Sequence, residues 1–275
     1  MKYRLIACDL DETLLNSDHH VCQRNVELIQ KAKQQGVKFV PATGRLYHSV
    51  QSTLKELGLY DLENEYVLSA NGAVLTENKN NRILQFKGLT FDKTKEIFEF
   101  GKNKDVCIAI YTLQNIYVYH LNENEKQRMM NQGIDYQLID DQSFEDIQND
   151  DIVKVLFETL DMAYLQSLEP MMKDIIEGEV ALSYSSGRYM ELNLLGVDKG
   201  QGLRDLAQLL DIPLVQTIAV GDNYNDQDML EAAGLSVAAG NAVDEIKKIC
   251  DYTTQADCNS GVVAELIEKF ILSKE

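Results

Sequence analysis

Proline is scarce, with three in 275 residues, and no stretch combines low hydrophobicity with repetition. A proline-rich spacer and a low-complexity disordered tail are thereby excluded. Long apolar runs are also missing, since none approaches the roughly 20 residues that a membrane-spanning helix needs. The opening residues pass from Lys2 into a short apolar run and then reach Asp9, a pattern unlike a secretory signal. Cysteine is sparse and odd in number, and Cys8, Cys22, Cys107, Cys250 and Cys258 lack the paired spacing of a zinc site or a disulfide framework. A cytoplasmic protein without a membrane partner is the expectation. Basic residues are in deficit as well: 26 Lys and Arg stand against 44 Asp and Glu, for a net charge of -18. That surface repels polyanions and argues against nucleic acid as a partner. A small phosphate can still bind where a metal ion or a few lysines reverse the local field.

What the chain does contain is 45% apolar residues, enough for one large core or two modest ones. Tyr3 to Cys8 reads as a buried parallel strand that ends abruptly at acidic residues. Val21, Val26, Leu28, Ile29 and Ala32 share one helical stripe, Gly36 stops that helix, and Val37 to Val40 reads as the next strand. The spacing predicts a further helix over 47–57, a strand at 66–68, a turn at Asn71-Gly72, and a hairpin of 73–76 with 83–86. Mixed strands (107–111, 116–119 and 153–157) and helices (92–102 and 162–176) then mark a separate α+β unit. From Lys199 the first rhythm resumes, with helices over 199–210 and 226–233 and strands over 217–220 and 235–238. The expected architecture is an α/β, doubly wound, Rossmann-like parallel-sheet core over residues 1–83 and 190–275, interrupted by an inserted α+β cap over 84–189.

Four local patterns carry chemistry. Asp9-Leu10-Asp11-Glu12-Thr13 puts two carboxylates just past the first strand, at the end where open α/β sheets bind ligands, with the Leu10 side chain turned away. Gly221-Asp222-Asn223-Tyr224-Asn225-Asp226 follows a later strand in the same way. Converging Asp9, Asp11, Asp222 and Asp226 on one small volume calls for a cation, and hard oxygen donors without His or Cys select Mg²⁺. Thr43 and Gly44, after Val37 to Val40, offer a hydroxyl and a backbone N–H at a strand-to-helix turn. Lys199 opens its helix against the helix dipole. Each pattern alone also reads as an acidic loop, a helix cap or a surface lysine; their shared placement at strand ends reads as one site.

In these motifs the sequence closely resembles the haloacid dehalogenase-like superfamily, and within it the Cof-type phosphatases with a large α/β cap. The resemblance rests on Asp9 to Thr13, Thr43-Gly44-Arg45, Lys199-Gly200 and Gly221 to Asp226, in family order and across essentially the whole chain. It implies Mg²⁺-dependent hydrolysis of small phosphate monoesters such as sugar phosphates, by a monomer or homodimer. In that scheme Asp9 is the nucleophile and a metal ligand, and Asp11 is the general acid/base that reaches the metal through its backbone carbonyl. Leu10, Thr43, Gly44, Lys199 and Asn225 bind phosphate, Asp222 binds the metal, and Asp226 supports it. Asn71 and Asn241 also match the subfamily, with no chemistry assigned. Glu12 departs from it, standing where Gly is usual. A phosphomutase or phosphotransferase on the same core, and a receiver-like phosphate-binding signalling protein, are the alternative readings.

Overall fold

A computed structural model describes residues 2–273. It divides into two compact units, one built from the chain up to Phe86 together with the part from Asp198 onward, the other from Lys87–Val197.

The first unit is organised on a five-stranded parallel sheet in the order Tyr252–Thr253, Leu235–Ala238, Thr217–Gly221, Leu5–Cys8, Lys38–Pro41. Leu5–Cys8 lies at its centre with all four residues buried, which is why that segment reads as an unbroken apolar run. The helix Gln23–Gln34 buries Leu28, Ile29 and Ala32 from its apolar stripe, and Gly36 follows with φ 85°. From the central strand the sheet grows first toward Lys38–Pro41 and, after the insertion, toward Thr217–Gly221. The topological switch point therefore falls at the C-terminal end of Leu5–Cys8. Register makes this useful: Cys8 is level with both Val220 and Pro41, so Asp9, Thr43 and Asp222 leave the sheet along one edge.

An antiparallel sheet of Tyr66–Ser69, Val74–Glu77 and Arg82–Phe86 joins the parallel one through a bridge between Ala42 and Leu68. Gly72, at φ +90°, lies so close to the start of the Lys199–Leu209 helix that an added Cβ would stand 2.3 Å from the Asp198 carbonyl oxygen. Only glycine fits that approach.

The second unit is a six-stranded sheet in the order Val180–Ser185, Tyr189–Leu194, Ile152–Glu158, Cys107–Thr112, Ile116–Tyr119, Gln137–Leu138. Its core centres on Ile97, Phe98, Phe144 and Phe157, with Phe98 and Phe144 stacked at 4.1 Å. The insertion thus runs over 87–197 rather than the expected 84–189. Arg82–Phe86 pairs with Val74–Glu77 in the first unit, and Tyr189–Leu194 is held between two strands of the second. The continuous helix expected over 162–176 is broken into Met162–Leu168, a 3₁₀ turn Glu169–Met172 and Lys173–Ile176, because Pro170 cannot continue the preceding hydrogen-bond ladder.

Candidate active site

Parallel pairing of Leu5–Cys8 with Thr217–Gly221 sets the Asp9 and Asp222 loops side by side. Asp9 is 6% exposed, and its N–H donates to the Val220 carbonyl at 3.0 Å. The Leu10 carbonyl then accepts the N–H groups of Thr13, Leu14 and Leu15, which reverses the chain immediately after the strand. Leu10's side chain is wholly buried in the core, so only its backbone can face a ligand. Glu12 takes φ 62°, the left-handed conformation that a glycine would adopt without steric cost. Asn241 steadies the turn, donating Nδ2–H to the Glu12 carbonyl at 2.7 Å while accepting from the Cys258 N–H.

Lys199 is completely buried, and its ammonium donates to Asp9 Oδ1 at 2.5 Å and to Asp226 Oδ1 at 2.7 Å. The other oxygen of Asp226 accepts the N–H groups of Asp222 and Asn223, at 3.0 and 3.2 Å, in a reciprocal cap of the 3₁₀ turn Tyr224–Asp226. A Cβ at position 221 would stand 2.5 Å from the Asp226 carboxyl carbon, so Gly221 is what lets that carboxylate fold back onto the turn. Asp222 is oriented by Thr13, whose hydroxyl donates to Asp222 Oδ1 at 2.7 Å.

Asp9, Asp222 and Asp226, all buried, each offer a carboxylate oxygen within 4.8 Å of the others. One ammonium stands among three carboxylates, which leaves the cluster short of positive charge. Burial, joined by the Asp226 charge, drives Asp9 well above the usual carboxylate range, and burial also pushes Asp222 up to about 6. For Lys199, burial alone would lower the ammonium, yet the charges of Asp226 and Asp9 outweigh it and hold the group above its ordinary value. An all-oxygen donor set with unbalanced negative charge fits a hard dication such as Mg²⁺. Both oxygens of Asp226 are already engaged, whereas Asp9 and Asp222 each keep one carboxylate oxygen that could be offered to a cation.

Asp11 does not join this volume. Its carboxylate, 44% exposed, is held by the Arg45 guanidinium, with Nε donating to Oδ2 at 2.8 Å and Nη2 to Oδ1. The chain reversal at Leu10 turns residue 11 toward the Thr43-Gly44-Arg45 loop, where a planar fork offers two charge-assisted bonds. Its backbone carbonyl is what remains for a metal. Thr43 is buried; its hydroxyl oxygen accepts the Arg45 N–H at 3.1 Å and keeps its own proton to donate. Gly44 lies against Asn71, where a Cβ would stand 3.1 Å from Asn71 Oδ1, itself buried without a hydrogen-bond partner. Asn225 is exposed in its 3₁₀ turn and enters none of these hydrogen bonds. Sequence reasoning quoted Thr13 and Arg45 within motifs but missed what they do; each touches a partner that only the folded sheet brings near, 209 and 34 residues away.

A family model described as haloacid dehalogenase-like hydrolase matches residues 6–266. The chain belongs to this family. Phosphatase YwpJ of Bacillus subtilis is 31% identical over 281 residues, spanning 94% of this chain and 97% of its own. The 5-amino-6-(5-phospho-D-ribitylamino)uracil phosphatase YcsE of the same organism is 27% identical, over 98% of this chain and 96% of its own. The solved structure of a haloacid dehalogenase-like hydrolase from Bacteroides thetaiotaomicron superimposes with a TM-score of 0.85 at 27% identity, covering 98% of this chain and 100% of that one. With its parallel core and inserted α+β domain, this haloacid dehalogenase-like chain is an enzyme, a phosphatase of the Cof type. Among the described residues, no helix is long and apolar enough to cross a membrane.

Proposed function

We propose that this phosphatase hydrolyses small phosphate monoesters, sugar phosphates or metabolites of similar size, in the cytoplasm, with Mg²⁺ and through a phosphoryl group carried on Asp9. The supporting observation is how the three buried carboxylates differ. Both oxygens of Asp226 are spent on Lys199 and the turn; Asp9 and Asp222 each have Oδ1 hydrogen-bonded and Oδ2 open, and of these two Asp9 is the one held by the Lys199 ammonium, the cation that can meet a phosphate's charge. Asp9 Oδ2 is the oxygen free to attack phosphorus.

A carboxylate approaching a phosphate dianion meets repulsion of about 4 kcal/mol per unit charge pair at 4 Å and an effective dielectric near 20. Lys199, fixed beside Asp9, offsets part of that repulsion and faces the equatorial oxygens as charge develops on them. Asp9, Asp222 and the Asp11 backbone carbonyl would hold Mg²⁺, with Asp226 behind them; when bound, the ion supplies further charge neutralisation at the transferring oxygens. The Thr43 hydroxyl, the backbone at Leu10 and Gly44, and Asn225 complete the phosphate cradle. Asp9 Oδ2 forms the bond to phosphorus while the ester oxygen departs with a proton from Asp11. Water then attacks the same phosphorus, Asp11 takes back the proton, and inorganic phosphate leaves with Asp9 restored. To reach the leaving oxygen, the Asp11 carboxyl must turn out of the Arg45 fork.

The purified chain is expected to release phosphate from an aryl phosphate with Mg²⁺, to lose that activity in EDTA and to regain it on Mg²⁺ addition. Full turnover in EDTA would overturn the metal assignment. Protons compete with the cation for the same carboxylates, so a group raised to about 6 must be deprotonated before it can bind the ion. The thermal shift produced by Mg²⁺ is therefore expected to be larger at pH 8 than at pH 5. An equal or larger shift at pH 5 would count against Asp9 and Asp222 as the donors.

A further inference from the structure

The inserted unit holds a cavity of about 500 Å³ whose polar wall includes Lys104, His120, Asn122, Asn124, Glu158 and Thr159. Glu158 is the residue there that lacks an explanation. It is 1% exposed, and its Oε2 accepts from Asn122 Nδ2 at 2.5 Å, but Oε1 is buried without a hydrogen-bond partner. The Arg188 guanidinium, at 3.9 Å, is too distant to donate. Burial raises the Glu158 carboxyl above its usual range, as expected of an acceptor that has lost water and gained no full replacement.

Its neighbour Glu125 is equally buried and fully satisfied, by the Arg128 fork and the Tyr189 hydroxyl. By contrast, Glu158 Oε1 is a buried acceptor to which no protein group among the described residues donates. Charge decides which donor fits. Two carboxylates, Glu125 and Glu158, face two guanidiniums, Arg128 and Arg188, and on the wall the charge of Lys104 is offset by that of Asp105, so an ammonium would unbalance the site and an anion would meet Glu158 directly. A hydroxyl satisfies the oxygen and leaves the balance unchanged. Asn122, Asn124, Thr159 and His120 add donors and acceptors together, as a ligand with several hydroxyls requires, and the volume admits one molecule of sugar size.

We propose that this cavity binds a neutral polyol, a monosaccharide or sugar alcohol, with one hydroxyl donating to Glu158 Oε1. The site lies wholly within the inserted unit and does not depend on the reaction assigned to Asp9.

Isothermal titration of the full chain with glucose, mannitol and myo-inositol tests it, with putrescine and sulfate as charged controls. Saturable one-to-one binding of at least one of the three polyols is expected, unchanged in Asp9→Asn and weakened about tenfold in Glu158→Gln through loss of a charge-assisted bond. Thr159→Trp, at a half-buried wall position, places an indole in the space a ligand would occupy while keeping Glu158 and both arginines, and is expected to abolish binding, so it decides the matter should Glu158→Gln fail to fold. The proposal fails if none of the three polyols binds saturably, or if only a charged control does. It fails equally if polyol binding survives Thr159→Trp or disappears in Asp9→Asn.

Discussion

Asp9→Asn is expected to lower kcat by at least about ten-thousand-fold while leaving the protein at least as resistant to thermal unfolding in EDTA as the wild type. The two halves of this expectation come from one observation. Asp9 is one of three buried carboxylates sharing a single ammonium, and burial opposes its ionisation. Asparagine keeps the shape and an oxygen for Lys199 but cannot form a bond to phosphorus, and it removes one uncompensated charge from the cluster. Loss of turnover with retained or raised Tm therefore separates a missing nucleophile from a damaged fold. Turnover near the wild-type rate would show that phosphorus is attacked by something else.

Lys199→Met has the opposite signature. Methionine fills nearly the same volume, yet it leaves Asp9 and Asp226 facing each other without the ammonium that bridges them at 2.5 and 2.7 Å. Breaking a buried ion pair by removing one partner costs about 3–5 kcal/mol, which for a protein of this size lowers Tm on the order of 10 °C. Activity is expected to fall roughly a thousand-fold, the scale for losing one donor preorganised toward developing charge. Saturating Mg²⁺ binds the folded state alone and so restores part of the lost stability. Thermal denaturation with and without Mg²⁺ measures both quantities. An unchanged Tm in EDTA would mean that the Lys199 bridges contribute nothing to the fold.

How much of this was legible in the sequence depended on distance along the chain. Leu5–Cys8 was visible because a strand buried on both faces is a continuous apolar run, and Gly36 punctuated the helix Gln23–Gln34. The last part of the core was not. Asp244–Ile249, Tyr252–Thr253 and Val262–Ile267 are six, two and six residues long, too short for a period to emerge, and they hold their form by packing on the sheet. Residues 190–194 of the strand Tyr189–Leu194 were assigned to the wrong unit because strand pairing, not local pattern, decides membership. Within the site, residue types announced the chemistry: acidic groups after two strands, a hydroxyl after a third and a lysine opening a helix. Pairings remained invisible, since Asp11 with Arg45 and Thr13 with Asp222 exist only once the strands are in register. The open oxygen of Glu158 had no local signal, because being unpartnered is a property of the packed interior.

The claim on which the proposed chemistry turns is that phosphorus is attacked twice, first by Asp9 and then by water. The stereochemical course at phosphorus tests this directly, using a substrate whose phosphoryl oxygens are made distinct by isotopes and water carrying a further isotope. Two in-line displacements restore the original configuration, so the account predicts retention. Inversion would mean that water attacks the ester in a single step and that Asp9 never carries the phosphoryl group.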